Sequence, residues 1–353
     1  MVQPRPGVHY PRSLGEFRSW FGTGAACLDY LEWLRWPGGF VCTRCGQPGG
    51  WWLSDGRIMC ASCGHRTSVT AGTIFDRTRT PLTVWFAACW QFATAKDGVS
   101  ALSLQQTLEI GSYQTAWMML HRLRSVLVRP GRERLHGTVE VDETYFGGEE
   151  PGLRGGRQKG KKLLAGVAVE LREPKGPGRC RMGVLPDAPG TSLQDFVVAH
   201  AGEGATVITD GWPSCRGIEA PGYSHDARSQ RAATAPGEDP GTLLPGVHRV
   251  ASLARRWLAS THQGRADDAH VPNYLNEFVF RFNRRTSRSR GHVFYRLLEL
   301  AAGHGPVRYR DVAVGGRQRK VMPAAPLKRG HPPSLERLPA DRPWRLADLR
   351  HSG

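Results

Sequence analysis

The chain has 353 residues, enough for two domains or one with appendages, and its 40% hydrophobic and 22% charged residues suit a protein that buries a core. Lys and Arg number 48 against 31 Asp and Glu, a formal charge of +17, which favours a polyanionic partner and, among these, nucleic acid. There is no run of 18 apolar residues and the opening Met1-Val2-Gln3-Pro4-Arg5-Pro6 has no apolar signal core, so a membrane partner is not expected and a cytoplasmic, nucleoid-associated protein is.

Phe17, Trp20, Phe21, Cys27, Leu28, Leu31 and Leu34 recur at helical spacing, predicting two short helices that end at Pro37-Gly38-Gly39. From Phe40 to about Thr70 lies a cysteine segment. Cys42-Thr43-Arg44-Cys45 and Cys60-Ala61-Ser62-Cys63 are CxxC pairs separated by 14 residues. Each pair bends the backbone so that two thiolates face one tetrahedral ion, and Gly46 and Gly64 supply the turn after each second ligand. Four thiolates close the shell, so the expected metal is a structural zinc, with His65 outside it. The remaining cysteines (Cys27, Cys89, Cys180, Cys215) are scattered and read as inert core thiols.

Pro81 starts a helix that runs to about Lys96. Two more helices follow near 100–109 and 113–127, broken at Gly111-Ser112, with Leu102, Leu104, Leu108, Ile110, Ala116, Met119, Leu120 and Leu123 as their apolar faces. A short helix, a Gly-containing turn and a second helix is the helix-turn-helix arrangement. The second helix would offer Gln114, Thr115, His121, Arg122 and Arg124 to DNA; two packed structural helices are the plain alternative.

After His136-Gly137 the pattern turns to strands: Val139–Val141, Leu163–Glu170, Cys180–Leu185 and Ala205–Thr209, with a helix over Leu193–Ala201. A Gly-rich basic loop, Arg154 to Lys162, joins the first two strands, and 226–245 is polar and Pro/Gly-rich, a mobile loop. Asp142 and Asp210 are each expected to end a strand and to hold divalent metal for phosphodiester chemistry. By alternation Glu140 shares a face with Asp142, and Glu143 does not. A helix over 247–261 would carry His248, Ser252 and Arg255 on one face, with Val250, Leu253, Ala254, Trp257 and Leu258 against the sheet. His248 is then either a third ligand or a residue that merely caps the helix. A last helix, 271–285, buries Leu275, Phe278, Val279 and Phe282, while Glu277, Arg281 and Arg284 line its other face, where Glu277 and Arg281 could form an i,i+4 ion pair.

The succession of ribbon, helices, VEVDETYFGG, ITDGW, HRVASLARRWL and YLNEFVFRFNRR, from about Tyr10 to Arg310, resembles the bacterial insertion-sequence transposases of the ISXO2-like family, with an N-terminal zinc ribbon and an RNase H-like DDE domain. The resemblance implies an α/β fold in which a ribbon and a helical region precede a mixed five-stranded sheet flanked by helices, with Asp142 on the first strand and Asp210 on the fourth. It divides the chain into an N-terminal helical segment (1–39), ribbon (40–75), helical DNA-binding region (76–130), catalytic domain (135–312) and a basic, Pro-rich disordered tail (313–353).

By the same resemblance the protein binds the terminal repeats of an insertion sequence as double-stranded DNA, cuts them with Mg2+ or Mn2+, and joins them to target DNA as a homo-oligomer. His248 falls where relatives carry the third catalytic residue, often Glu or Asn, and Arg255 where lysine is usual. A neutral imidazole is a poorer partner for Mg2+ than a carboxylate, so either His248 serves, or Glu277 assists, or the chain is a catalytically impaired, DNA-binding derivative.

Overall fold

The computed structural model describes residues 4–129, 131–146, 163–186, 190–211, 217–218, 222–228, 243–262 and 269–313. The 154–162 loop, Gly147-Gly148, Trp212, Cys215, most of the 226–245 segment and the tail beyond 313 lie outside these residues. Two compact units result, residues 131–286 forming one and residues 1–130 with 287–353 the other.

The first unit opens with α1 (Leu14–Trp20) and α2 (Gly24–Arg35), whose N-caps Ser13 and Thr23 accept from the amides of Glu16 and Ala26. β1 (Gly50–Trp52), β2 (Ile58–Cys60) and β3 (Arg66–Thr67) make an antiparallel ribbon. α3 (Leu82–Thr94) is followed by α4 (Ala101–Thr107) and α5 (Tyr113–Ser125), capped by Ser100 and Ser112. The helix pair and its break thus fall close to where the sequence places them. Its exposed face does not. His121 and Arg124 are buried at 1% and 2% exposure, and Leu102 is 53% exposed. Arg124 stands four residues after Leu120 and eight after Ala116, so it belongs to the helix's inward stripe, and His121 stacks on Trp117 at 4.1 Å.

Unit one is completed from beyond residue 287. Helix α9 (Arg290–Gly303) packs on α2 and α3 and sends Phe294, wholly buried, among Phe17, Phe21, Phe86 and Trp90. A short α10 (Tyr309–Ala313) touches α5. The expected catalytic domain, 135–312, thus spans the sheet unit together with α9 and part of α10. The sheet unit closes at 286, because the apolar face of α9 finds its partners in the aromatic core of the first unit.

The second unit is a sheet of order β6-β5-β4-β7-β8, built from β4 (Thr138–Phe146), β5 (Leu163–Arg172), β6 (Gly176–Val184), β7 (Thr206–Thr209) and β8 (Ser224–Ala227). β4, β5 and β6 run antiparallel, and β7 and β8 continue the sheet in parallel. α6 (Gly190–His200) covers one face through Leu193, Phe196 and Val197. On the other lie α7 (Pro245–His262) and α8 (Val271–Phe282), with Val250, Ala254, Trp257, Leu258, Leu275, Phe278 and Phe282 in one core with Val167, Val169 and Ile208. This is the mixed five-stranded α/β sheet expected, with β8 as an addition to the strands read directly. Ser224-His225-Asp226-Ala227 is a mostly exposed edge strand and has no apolar alternation to betray it.

Candidate active site

Asp142 and Asp210 are brought together by strand register. β4 and β7 pair in parallel with a constant offset, Thr138 opposite Thr206 through Glu140 opposite Ile208. Continued two residues past the printed pairs, the same offset runs from Asp142 on β4 to Asp210, the residue that follows β7. One expectation needs correcting. Asp142 does not end its strand: β4 continues to Phe146 by pairing with β5, Asp142 opposite Val167 and Phe146 opposite Leu163. It stands instead where the parallel ladder stops, β7 ending at Thr209 with Asp210 the next residue.

Alternation settles which face the site occupies. Val139 and Val141 pack with α6. Glu140, Asp142, Thr144 and Phe146 therefore point to the side of α7, and Phe146 lies in the α7/α8 core. α7 runs beside β4 and touches it three times in order. The Val247 amide donates to Glu140 Oε2 at 2.8 Å. His248 Nε2 lies 3.6 Å from Asp142 Oδ2, with side chains 38% and 18% exposed. Arg255 Nη2 donates to Thr144 Oγ1. His248, Ser252 and Arg255 occupy the outward face of α7 as expected, because Val250, Ala254, Trp257 and Leu258 anchor its inner face.

Glu140 was legible only as a neighbour of Asp142 on one face; its contact with a helix 107 residues away was not. The carboxylate is wholly buried, and its Oε1 has no hydrogen-bond partner among the described residues. Burial raises its pKa above the usual carboxylate range, against the opposing pull of the Val247 and Gly246 amides. Close approach is possible because residue 246 is glycine: a Cβ there would lie 2.8 Å from Glu140 Oε2 and 3.1 Å from Leu171 Cδ2. Thr144, the partner of Arg255, carried no signal in the sequence.

Glu277 is placed differently from the other candidates. It is fully buried on α8 and ion-paired to Arg281 at 2.8 Å, the i,i+4 arrangement its spacing allowed, but inside the core rather than on a solvated face.

In the first unit the four cysteine sulfurs all lie within 4.8 Å of one another, Cys42 and Cys63 at 3.7 Å, Cys45 and Cys60 at 3.6 Å. The edge of a tetrahedron with Zn–S bonds of about 2.3 Å is roughly 3.8 Å, so the set fits zinc. Arg44 and Ser62 amides point at Cys42 and Cys60, and Gly46 and Gly64 take the left-handed backbone (φ 72° and 68°) expected after each pair. Cys27, Cys89 and Cys180 are buried, as inert thiols should be.

The chain thus joins a unit bearing a four-cysteine ribbon to a unit built on a mixed five-stranded sheet flanked by helices. Residues 134–283 match the family model of the ISXO2-like transposase domain, and residues 22–66 match that of the transposase zinc-ribbon domain, together more than half of the chain. The chain belongs to this family of insertion-sequence transposases. The transposase-domain match ends three residues short of where the sheet unit closes. A curated relative, an uncharacterized protein in transposable element ISH50 of Halobacterium salinarum, is 26% identical over 277 residues, covering 72% of this chain and 88% of its own length. No described helix is long and apolar enough to cross a membrane.

Proposed function

We propose that this protein is a DDE-type transposase that binds the ends of its insertion sequence as double-stranded DNA, cleaves them and transfers them to target DNA. The observation that supports this reading is the approach of His248 to Asp142, 3.6 Å apart where α7 meets β4, with Asp210 following the strand that pairs with β4 in parallel. That separation is too long for a hydrogen bond and close to the edge of roughly 3.0–3.4 Å expected between two ligands of one cation. Asp142 and Asp210 would hold Mg2+ or Mn2+, and His248 would complete the set. So held, divalent ions would supply activation of the attacking oxygen and stabilisation of the leaving one.

The protein's own groups then divide the remaining work. Arg255, kept in place by Thr144, holds a phosphate oxygen beside the aspartates. Glu140 fixes the first turn of α7 and with it the position of His248. Glu277, buried and paired to Arg281, supports α8 and stands outside the reacting set. Joining two ends makes an oligomer on DNA the working form, and the cytoplasm its place.

A second reading has one observation in its favour: His248 brings no negative charge, and a site with two carboxylates and an imidazole suits Mn2+ better than Mg2+. It describes a DNA-binding derivative that no longer cuts. Transposition in cells separates the two. The gene with its native flanks sits on a donor plasmid, and wild type is compared with Asp142→Asn. Events that vanish in Asp142→Asn, with end binding retained, are expected. Absence of events from wild type, together with binding of the flanks by purified protein, would establish the second reading.

A further inference from the structure

Burial of His121 and Arg124 removes two of the residues expected to meet DNA, and the first unit offers a different surface. A hollow of about 390 Å³ opens between the start of α5, the loop before α3 and the start of α10. Its walls carry Arg77, Arg79 and Arg122, with Gln114 and Thr115 from the first turn of α5 and Tyr309 from α10. No carboxylate lines it; Asp76 lines the adjoining hollow. Arg77 and Arg79 are exposed and make no hydrogen bond or ion pair among the described residues.

The setting is rigid. Arg122 is fastened through Nε to the Val307 carbonyl at 2.9 Å and through Nη1 to that of Ile74 at 3.1 Å, so its guanidinium is committed to place rather than to an acid. Thr78 accepts from Trp85 Nε1 at 2.8 Å and from the Thr80 amide at 3.1 Å, which fixes the loop bearing the other two arginines. Arg77 sits at φ 53°, a left-handed backbone that a β-carbon disfavours and that the surrounding structure must hold. The N-terminal end of α5, capped by Ser112, points its positive dipole into the same space.

We infer that this arginine groove is the seat of a DNA phosphate backbone, with Arg77 and Arg79 as its phosphate contacts. The inference rests on the proposed action on DNA and specifies which surface grips it. Asp76, beside Arg77 and Arg122 in the adjoining hollow, offsets only one of the three cations; the excess positive charge favours a polyanion, and amide and hydroxyl groups at a helix start suit phosphate oxygens.

The test measures binding of full-length, zinc-loaded protein to two duplexes, one from the DNA flanking its gene and one unrelated, by fluorescence anisotropy over a range of NaCl. Each lost phosphate contact lowers the log–log salt slope by about 0.9, so Arg77→Ala/Arg79→Ala should lower it by roughly two and weaken both duplexes about tenfold or more. Arg77→Lys/Arg79→Lys, with both charges restored, should recover most of the loss. Arg77→Gly should bind as weakly as Arg77→Ala while keeping or raising Tm, since glycine suits φ 53°. Wild-type affinity and slope in the double variant would overturn the inference. So would a loss confined to the flanking duplex with the slope unchanged, which would assign base reading instead. If wild type bound neither duplex even at low salt, the action on DNA would itself be wrong.

Discussion

Glu140 and Gly246 meet at the point where α7 arrives on the sheet, and each limits the other. An alanine at 246 would thrust its methyl group to 2.8 Å from Glu140 Oε2, and the sheet gives it little room to retreat. Gly246→Ala should therefore destabilise the chain by roughly 1–3 kcal/mol, as overpacked sites do, read as a lower Tm in thermal unfolding. An unchanged Tm would mean that α7 shifts freely on β4, and that Glu140 does not set the position of His248.

Two other groups, buried Glu170 and half-buried His200, make the sheet unit sensitive to acid. Burial alone would raise the Glu170 carboxyl, but Arg179, at 2.6 Å, and the His136 and Arg179 amides outweigh it and hold it at about 2. A depressed carboxylate stabilises the fold above its unfolded pKa, near 4.5, and that contribution is lost as pH falls towards 2. Burial likewise lowers His200 to about 4, and its neutral ring donates to the Phe196 carbonyl and accepts from Arg132. Because an unfolded histidine takes up its proton near 6.5, stability should begin to fall from there and decline further to pH 4. Denaturant unfolding between pH 7 and 4 should show this loss in wild type and much less of it in His200→Gln. Equal slopes would remove His200 from the account.

At the scale of elements, α7 and the ribbon were the most legible parts of the chain, for different reasons. The ribbon's ligands are near in sequence, so spacing alone reports their geometry. Cys60→Ser should release zinc, measured as metal content per chain, and unfold β1–β3. Retention of one zinc per chain would refute the four-thiolate site. α7 was legible because an amphipathic helix shows which residues face out, and His248 and Arg255 do. That Arg255 meets Thr144 and that the Val247 amide meets Glu140 was not legible, since both partners belong to another element more than 100 residues earlier. β8 escaped because an exposed edge strand has no buried side to leave a pattern. In α5 the periodicity was present but overruled by chemistry: arginine at 124 reads as surface, whereas its position on the stripe places it inside.

At the scale of the molecule, the resemblance extended the catalytic domain to 312, but the core that α9 completes belongs to the other unit. Phe294, Leu297 and Leu298 are wholly buried there. A chain ending at Thr286 should thus keep the sheet unit's native near-ultraviolet dichroism while its ribbon-bearing unit loses cooperative unfolding and DNA binding. If that chain bound duplex DNA as well as the full one, α9 would be dispensable. Compositional reading could not have found this, because an apolar helix face does not say which partner it will meet.

That interrupted connectivity also sets a timetable. The polypeptide leaving a ribosome exposes Phe17, Phe21, Phe86 and Trp90 long before Phe294 exists to cover them, an interval on the order of ten to forty seconds from Trp90 at common rates of synthesis. The sheet unit is complete before that interval closes. The first unit thus matures after the sheet unit, and a chain interrupted between residues 130 and 294 lacks the helix that closes the first unit's aromatic core.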